Sequence, residues 1–210
     1  MKHTNFINCC VFALLLASFV ATPVYAQNNS MNKLHVEKKA TNLSDKDLGA
    51  FKEKVLKKVN LLTVYISNIA NKKADDQLRR DNITQAVNLF QDKNKTYVEV
   101  SSKNSSTIRK YSINQYFRRL YAVDAGQVKI TFYEVAHLSD FRQAPDGKYY
   151  GTAHIYQLYE KYDYEGALVY TDKTIKKIDV TIDNLVKRVG DQEASVWDVK
   201  LGNIKVEETN

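Results

Sequence analysis

Two carboxylates stand where a strand pattern calls for apolar side chains. Glu134 interrupts the alternation of Val128, Ile130, Phe132, Ala136 and Leu138, and Asp172 interrupts Leu168, Tyr170, Ile178 and Val180. A carboxylate in apolar surroundings has its charged form disfavoured, so its pKa rises and it can take up and return a proton near neutral pH. That is the chemistry of a general base. The plainer reading places Glu134 at a sheet edge or beside a Lys or Arg, and Asp172 in a bulge or turn, since structural charges also perturb pKa values. Gln157 and Trp197 fall on strand positions that face the same space. With Tyr65, Phe117, Phe132 and Tyr170 they make up a candidate pocket lining.

The other residues with chemical capacity are weaker candidates. His137 and His154 lie on adjacent strand segments, and His137-x-x-Asp140 is a two-residue pattern short of a metal site, so no metal and no cofactor is expected. No nucleophile elbow, zinc-protease, phosphate-loop or dinucleotide motif occurs. The stretch YYGTAHIYQLYEKYDYEGALVY (149–170) holds half of the chain's 14 tyrosines. Strand alternation divides them between two faces and a turn, so they do not form one platform. Tyr133, Tyr150, His154 and Tyr156 fall on the outer side, where joint exposure would make an interface.

The elements that must position these residues can be read from spacing. Ser44-x-x-Asp47 resembles a capping box, and Leu48, Phe51, Val55, Leu56, Val59, Leu62, Ile66 and Ile69 recur at helical intervals to about Ala70. Asp75 and Asp76 open a second helix, marked by Leu78, Ile83, Ala86, Val87 and Phe90. Tyr97–Ser101 alternates as a short strand, KNSS reads as a turn, and Ser112 caps a third helix with Ile113, Tyr116, Phe117 and Leu120 on its apolar face. Four long strands follow: Val128–Leu138, Tyr149–Tyr159, Leu168–Ile182 and Ser195–Val206. Turns at Pro145-Asp-Gly147, Tyr164-Glu-Gly166 and Gly190-Asp191 separate them, so an antiparallel meander is expected. In the last strand the apolar parity switches from Trp197, Val199 and Leu201 to Ile204 and Val206 across Gly202-Asn203, which is how a β-bulge reads in sequence.

This order resembles the NTF2-like superfamily, the cone-shaped α+β fold shared by nuclear transport factor 2, ketosteroid isomerase and SnoaL-like polyketide cyclases. The resemblance is carried by AVNLFQDKNKTYVEVSS (86–102), INQYFRRL (113–120) and VWDVKLGNIKVEE (196–208). It implies three N-terminal helices packed on a strongly curved antiparallel sheet of one short and four long strands, with a pocket at the open end and dimerisation across the sheet. No catalytic set of the family's enzymes matches these residues, so function has to be argued from a site.

Residues 1–26 read as a secretory signal peptide: Lys2, the apolar run VFALLLASFV, and VYA before a cleavage point after Ala26. The run is too short to span a membrane as an ordinary helix. Residues 27–43 read as a flexible leader and 44–210 as one domain. Both cysteines, Cys9 and Cys10, leave with the signal, which excludes disulfides and thiol chemistry from the processed chain. The net charge of +7 is spread over many sites, so no nucleic-acid partner is expected.

The reading that follows is an exported, periplasmic or extracellular, non-catalytic domain. It binds a small apolar ligand or a protein partner through the cone pocket or the sheet face. The alternatives are an isomerase, dehydratase or cyclase with Glu134 or Asp172 as base, and a carbohydrate- or envelope-binding module, which needs two or three coplanar exposed aromatics.

Overall fold

The computed structural model describes residues 42–123, 128–189 and 192–210; the side chains of residues 134–136, 187, 189, 192 and 193 lie outside that description. The expected signal peptide, most of the expected leader and the Gly190-Asp191 turn therefore lie outside the described residues. The last two residues of the expected leader are tied down: the Leu43 amide donates to the Tyr149 hydroxyl at 2.9 Å, and Gln143 Nε2 donates to Asn42 Oδ1 at 3.0 Å. Among the described residues no helix is long and apolar enough to cross a membrane.

Helix α1 (Asp45–Ala70) begins at the capping box read from sequence, with Ser44 and Asp47 bonded reciprocally, an arrangement worth about 1 kcal/mol. Its buried stripe is Phe51, Val55, Val59, Leu62, Ile66 and Ile69, spaced by three and four residues. Helix α2 (Asp76–Asn88) is capped by Asp75, whose side chain accepts from the Leu78 amide. Of the apolar residues expected on it, Ala86 is buried and Ile83 and Val87 pack partly buried against the core. Arg79, Asn82 and Ala86 point inward, whereas Leu78 is 48% exposed. Helix α3 (Ile113–Ala122) starts at Ser112 in a second capping box with Gln115 and buries Ile113, Tyr116, Phe117 and Leu120.

Seven strands form one sheet: β1 (Tyr97–Ser102), β2 (Ser105–Ser112), β3 (Val128–Leu138), β4 (Arg142–Gln143), β5 (Tyr149–Tyr162), β6 (Leu168–Val189) and β7 (Gln192–Thr209). Their order is β2-β1-β7-β6-β5-β3, with β4 on β5. The expectation of one short and four long antiparallel strands is corrected in three respects, the first being the two-residue strand β4 beside β5. Residues 105–112 form a strand, so only Lys103 and Asn104 of the expected KNSS turn connect a β1–β2 hairpin; this edge strand is polar and mostly exposed, and it lacks the apolar alternation that marks a strand in sequence. The sheet is also mixed, because β1 runs parallel to β7, with Val98 opposite Ile204. Gly147 and Gly166 adopt positive φ in the two tight turns flanking β5.

The bulge in β7 lies where the parity switches. Ile178 pairs with Ile204 and Val180 with Leu201, so Gly202 and Asn203 together oppose Asp179. A Cβ at Gly202 would lie 3.1 Å from the Asp179 Cβ, so the close approach of the two strands favours glycine there. The bulge lets Val199, Leu201 and Ile204 all face the core, beside Ile178, Val180 and Ile182 of β6. Leu168, assigned to that same face, is 51% exposed; the inward run of β6 begins at Asp172, which is polar.

Candidate functional site

Strand β6 continues its core-facing parity backwards from Ile178 through Lys176, Thr174 and Asp172, all of them buried. Three polar side chains on a buried face need partners or a purpose. They line a cavity of about 390 Å³, within the range of small-molecule sites. Helix α3 supplies Tyr116, Arg119 and Leu120 to it, the β1–β2 hairpin Val100, Ser102, Arg109 and Tyr111, β3 Ile130, and β5 Gln157, Tyr159 and Lys161. The Ser112 cap starts α3 immediately beyond β2, and Phe117, fully buried against Phe90 and Tyr116, fixes the helix to the core. One turn of α3 is thereby held over the inward side chains of β5 and β6.

The polar side chains of the cavity fall into two groups, one around Asp172 and one at Lys176. The Tyr170 hydroxyl donates to Asp172 Oδ2 at 2.6 Å. It also lies 2.8 Å from Ser102 Oγ, which donates in turn, since the tyrosine proton is committed to the carboxylate. Lys176 Nζ donates to the Glu99 carbonyl oxygen at 3.0 Å and lies 5.9 Å from the Tyr116 ring centroid. Burial pulls the Lys176 ammonium down from 10.5 to about 8, opposed by attraction to Asp172 and Glu99. The Glu99 carboxylate is engaged elsewhere, accepting from the Val206 amide at 2.9 Å and pairing with Lys110 at 3.2 Å. Burial raises the Tyr116 phenol well above its usual value. It also raises Tyr159, helped by the Asp172 charge and by Tyr170. The site therefore presents a donor, Lys176, and an acceptor, Asp172, on one strand face, surrounded by tyrosine and aliphatic carbon.

No family model, curated protein or solved structure matches this chain. Its site has to be read from geometry alone.

Of the residues expected at a pocket, Asp172, Gln157 and Tyr170 are brought together here. Phe117 is core. Trp197 packs edge-on against Tyr149, with ring centroids 5.7 Å apart, and Tyr65 and Phe132 pack partly buried against the core; none of these four lines the cavity. The Glu134 side chain lies outside the described residues. Tyr133, Tyr150 and Tyr156 are each 41–51% exposed on the outer face, with the Tyr150 hydroxyl bonded to Asp146 at 2.6 Å. His154 is partly buried, and its Nδ1 lies 2.9 Å from Glu207 Oε2. Among the described residues no group of three His, Cys, Asp or Glu is placed to hold a metal ion.

Sequence reading missed Lys176, Tyr116, Tyr159 and the cationic residues Arg109, Arg119 and Lys161. A signal for Lys176 was present: it shares the parity of Ile178, Val180 and Ile182, as Asp172 does. A larger concavity of about 850 Å³ lies along the sheet, lined in part by Asp140, Tyr150 and Asp179. Its acids are already satisfied, Asp140 by Lys52 and Asp179 by Lys205, each at 2.8 Å. It is more open and less apolar than the cavity beside α3, so the smaller, aromatic-walled cavity is the better ligand site.

Proposed function

We propose that the chain is an exported, NTF2-like domain that binds a small organic molecule in the cavity between α3 and the β5–β6 face, without transforming it. The observation that carries this reading is the cavity itself. It is walled by Tyr111, Tyr116, Leu120, Ile130 and Tyr159, and carries a buried donor, Lys176, and a buried acceptor, Asp172. Apolar walls with a few convergent polar groups are the usual composition of a small-molecule site. The α+β order of three helices and a sheet dominated by long antiparallel strands, with the cavity beside α3, supports the NTF2-like assignment. Lys2 and the apolar run that follows support export.

The test is a fluorescence titration with 2-naphthoate and its neutral counterpart 2-naphthalenemethanol. Saturable one-to-one binding of at least one is expected. Leu120→Trp, which places a larger side chain in the cavity, is expected to weaken that binding by about tenfold or more. Absence of saturable binding for both compounds and for 2-naphthyl phosphate would overturn the reading.

General-base catalysis is the second reading, and one observation favours it: Asp172 is 6% exposed and lines the cavity. Turnover of a bound compound, abolished in Asp172→Asn while binding is kept, would establish it in place of the first.

A further inference from the structure

The cavity has a charged mouth that the proposed binding function leaves unexplained. Arg109 on β2, Arg119 on α3 and Lys161 on β5 all line it and are all exposed. They come from three separate elements, so they are not one solvated face of a helix or strand. Among the described residues, no carboxylate forms an ion pair with any of the three. The single acid lining the cavity, Asp172, is bonded to Tyr170, the residue opposite Lys161 in the β5–β6 register, and attracts Lys176. Three cations lining one cavity against a single carboxylate give it a net positive charge, which favours a bound anion.

Arg119 shows how such an anion is met. Its guanidinium carbon lies 4.6 Å from the Tyr111 ring centroid, the distance of a stacked pair. Stacking uses the face of the guanidinium and leaves its edge N–H donors available, the fork that matches a carboxylate or phosphate. A volume of about 390 Å³ admits one small molecule and no polymer, which separates this mouth from a nucleic-acid surface.

We infer that the ligand is an amphipathic organic anion. Its acid head sits among Arg109, Arg119 and Lys161, and its aromatic or aliphatic body lies along Tyr116 and Leu120. A neutral hydroxyl or carbonyl at its other end meets Lys176. This rests on the cavity being a binding site, and it names the chemical class that site takes. Carboxylate and phosphate heads share this chemistry, and the experiment separates them.

Wild type and the triple variant Arg109→Gln/Arg119→Gln/Lys161→Gln are titrated with 2-naphthoate, 2-naphthyl phosphate and 2-naphthalenemethanol. One of the two anions is expected to bind wild type about tenfold or more tighter than the alcohol, and the tighter of the two identifies the head group. That preference should fall with added salt and vanish in the triple variant, whose circular dichroism and urea midpoint stay close to wild type and report an intact fold. Equal affinity for the alcohol and both anions, or an anion preference that survives the triple substitution, would overturn the inference while leaving the binding site standing. No binding of any of the three compounds would remove the site and the inference together.

Discussion

Replacing Lys176 with methionine is expected to raise the domain's stability at pH 7 by about 1–2 kcal/mol, measured as a higher urea midpoint. Methionine keeps the length and apolar character of the lysine stem, so packing against Tyr116 and the sheet is largely retained. What is lost is a charge in a place where charge is disfavoured. The side chain is 4% exposed, and burial is the main cause of a pKa drawn from 10.5 to about 8. A displacement of that size corresponds to destabilisation on the order of 3 kcal/mol for the charged form. Against this, the Glu99 carbonyl loses a donor at 3.0 Å, which costs about 1–2 kcal/mol. The balance favours methionine. A variant less stable than wild type by more than about 1 kcal/mol would mean that the attraction of Asp172 and Glu99, with the hydrogen bond, outweighs desolvation.

The same amine gives the stability a pH signature. A lysine in the unfolded chain titrates near 10.5 and this one near 8 in the folded state. Between those values the unfolded chain holds more protons, so stability rises with pH through that window; the penalty is fully present below pH 8. The groups facing the amine from other elements are Glu99 on β1 and Tyr116 on α3, with Asp172 on its own strand. Tyr116 acts in the opposite sense. Its phenol is raised by burial above the ordinary 10.0, so the folded state keeps a proton that the unfolded chain has lost, and stability falls past pH 10. The gap between wild type and Lys176→Met should therefore be widest at pH 7 and close between pH 8 and 10. A gap of constant width would exclude the amine as its origin. A group retained on the core face at such a cost to stability is what a ligand site leads one to expect.

The helices and the bulge were legible in sequence because each rests on a local rule. Ser44 with Asp47 and Ser112 with Gln115 satisfy helix-start amides within one turn. The parity switch at Gly202-Asn203 can be satisfied only by inserting a residue. Strand β2 was not legible, because its pairing with β1 is made by backbone groups while its polar side chains face solvent. The parallel β1–β7 contact was equally hidden, since register between segments a hundred residues apart leaves no trace in either one. Half of the site could be read. Asp172 was found as a polar residue on an apolar parity, and the same argument extended by four residues reaches Lys176. The cationic mouth could not be read, because Arg109, Arg119 and Lys161 meet only when hairpin, helix and sheet close together. In sequence they are three basic residues among thirty-one.

Arg79→Met is expected to destabilise the domain by about 3–4 kcal/mol and to weaken ligand binding as well. Arg79 is 4% exposed on the inner face of α2. Its Nε donates to the Ile69 carbonyl at 3.0 Å and its Nη2 to the Tyr121 carbonyl at 2.7 Å. Those carbonyls belong to the last turns of α1 and α3, where the chain leaves acceptors without intrahelical donors and the helix dipole is negative. The last turn of α1 has no basic residue of its own, so Arg79 supplies the charge that end lacks. Its guanidinium also stacks 4.2 Å from the Tyr121 ring centroid, and Asp76 Oδ1 lies 3.7 Å from Nη1. One side chain thus joins the C-terminal ends of two helices to a third. Methionine fills the space but leaves both carbonyls without their donor, and hydrogen bonds to a charged group contribute about 1.5–3 kcal/mol each. Lysine should not rescue, because a single ammonium cannot reproduce the planar fork that reaches two carbonyls while stacking on a ring. The link to function runs through α3, which carries Tyr116, Arg119 and Leu120 into the cavity. Loosening its C-terminal anchor should weaken 2-naphthoate binding even under conditions where the variant remains folded. A loss of stability below about 1 kcal/mol, with binding unchanged, would show that α3 is held in place by Phe117 and its apolar neighbours alone.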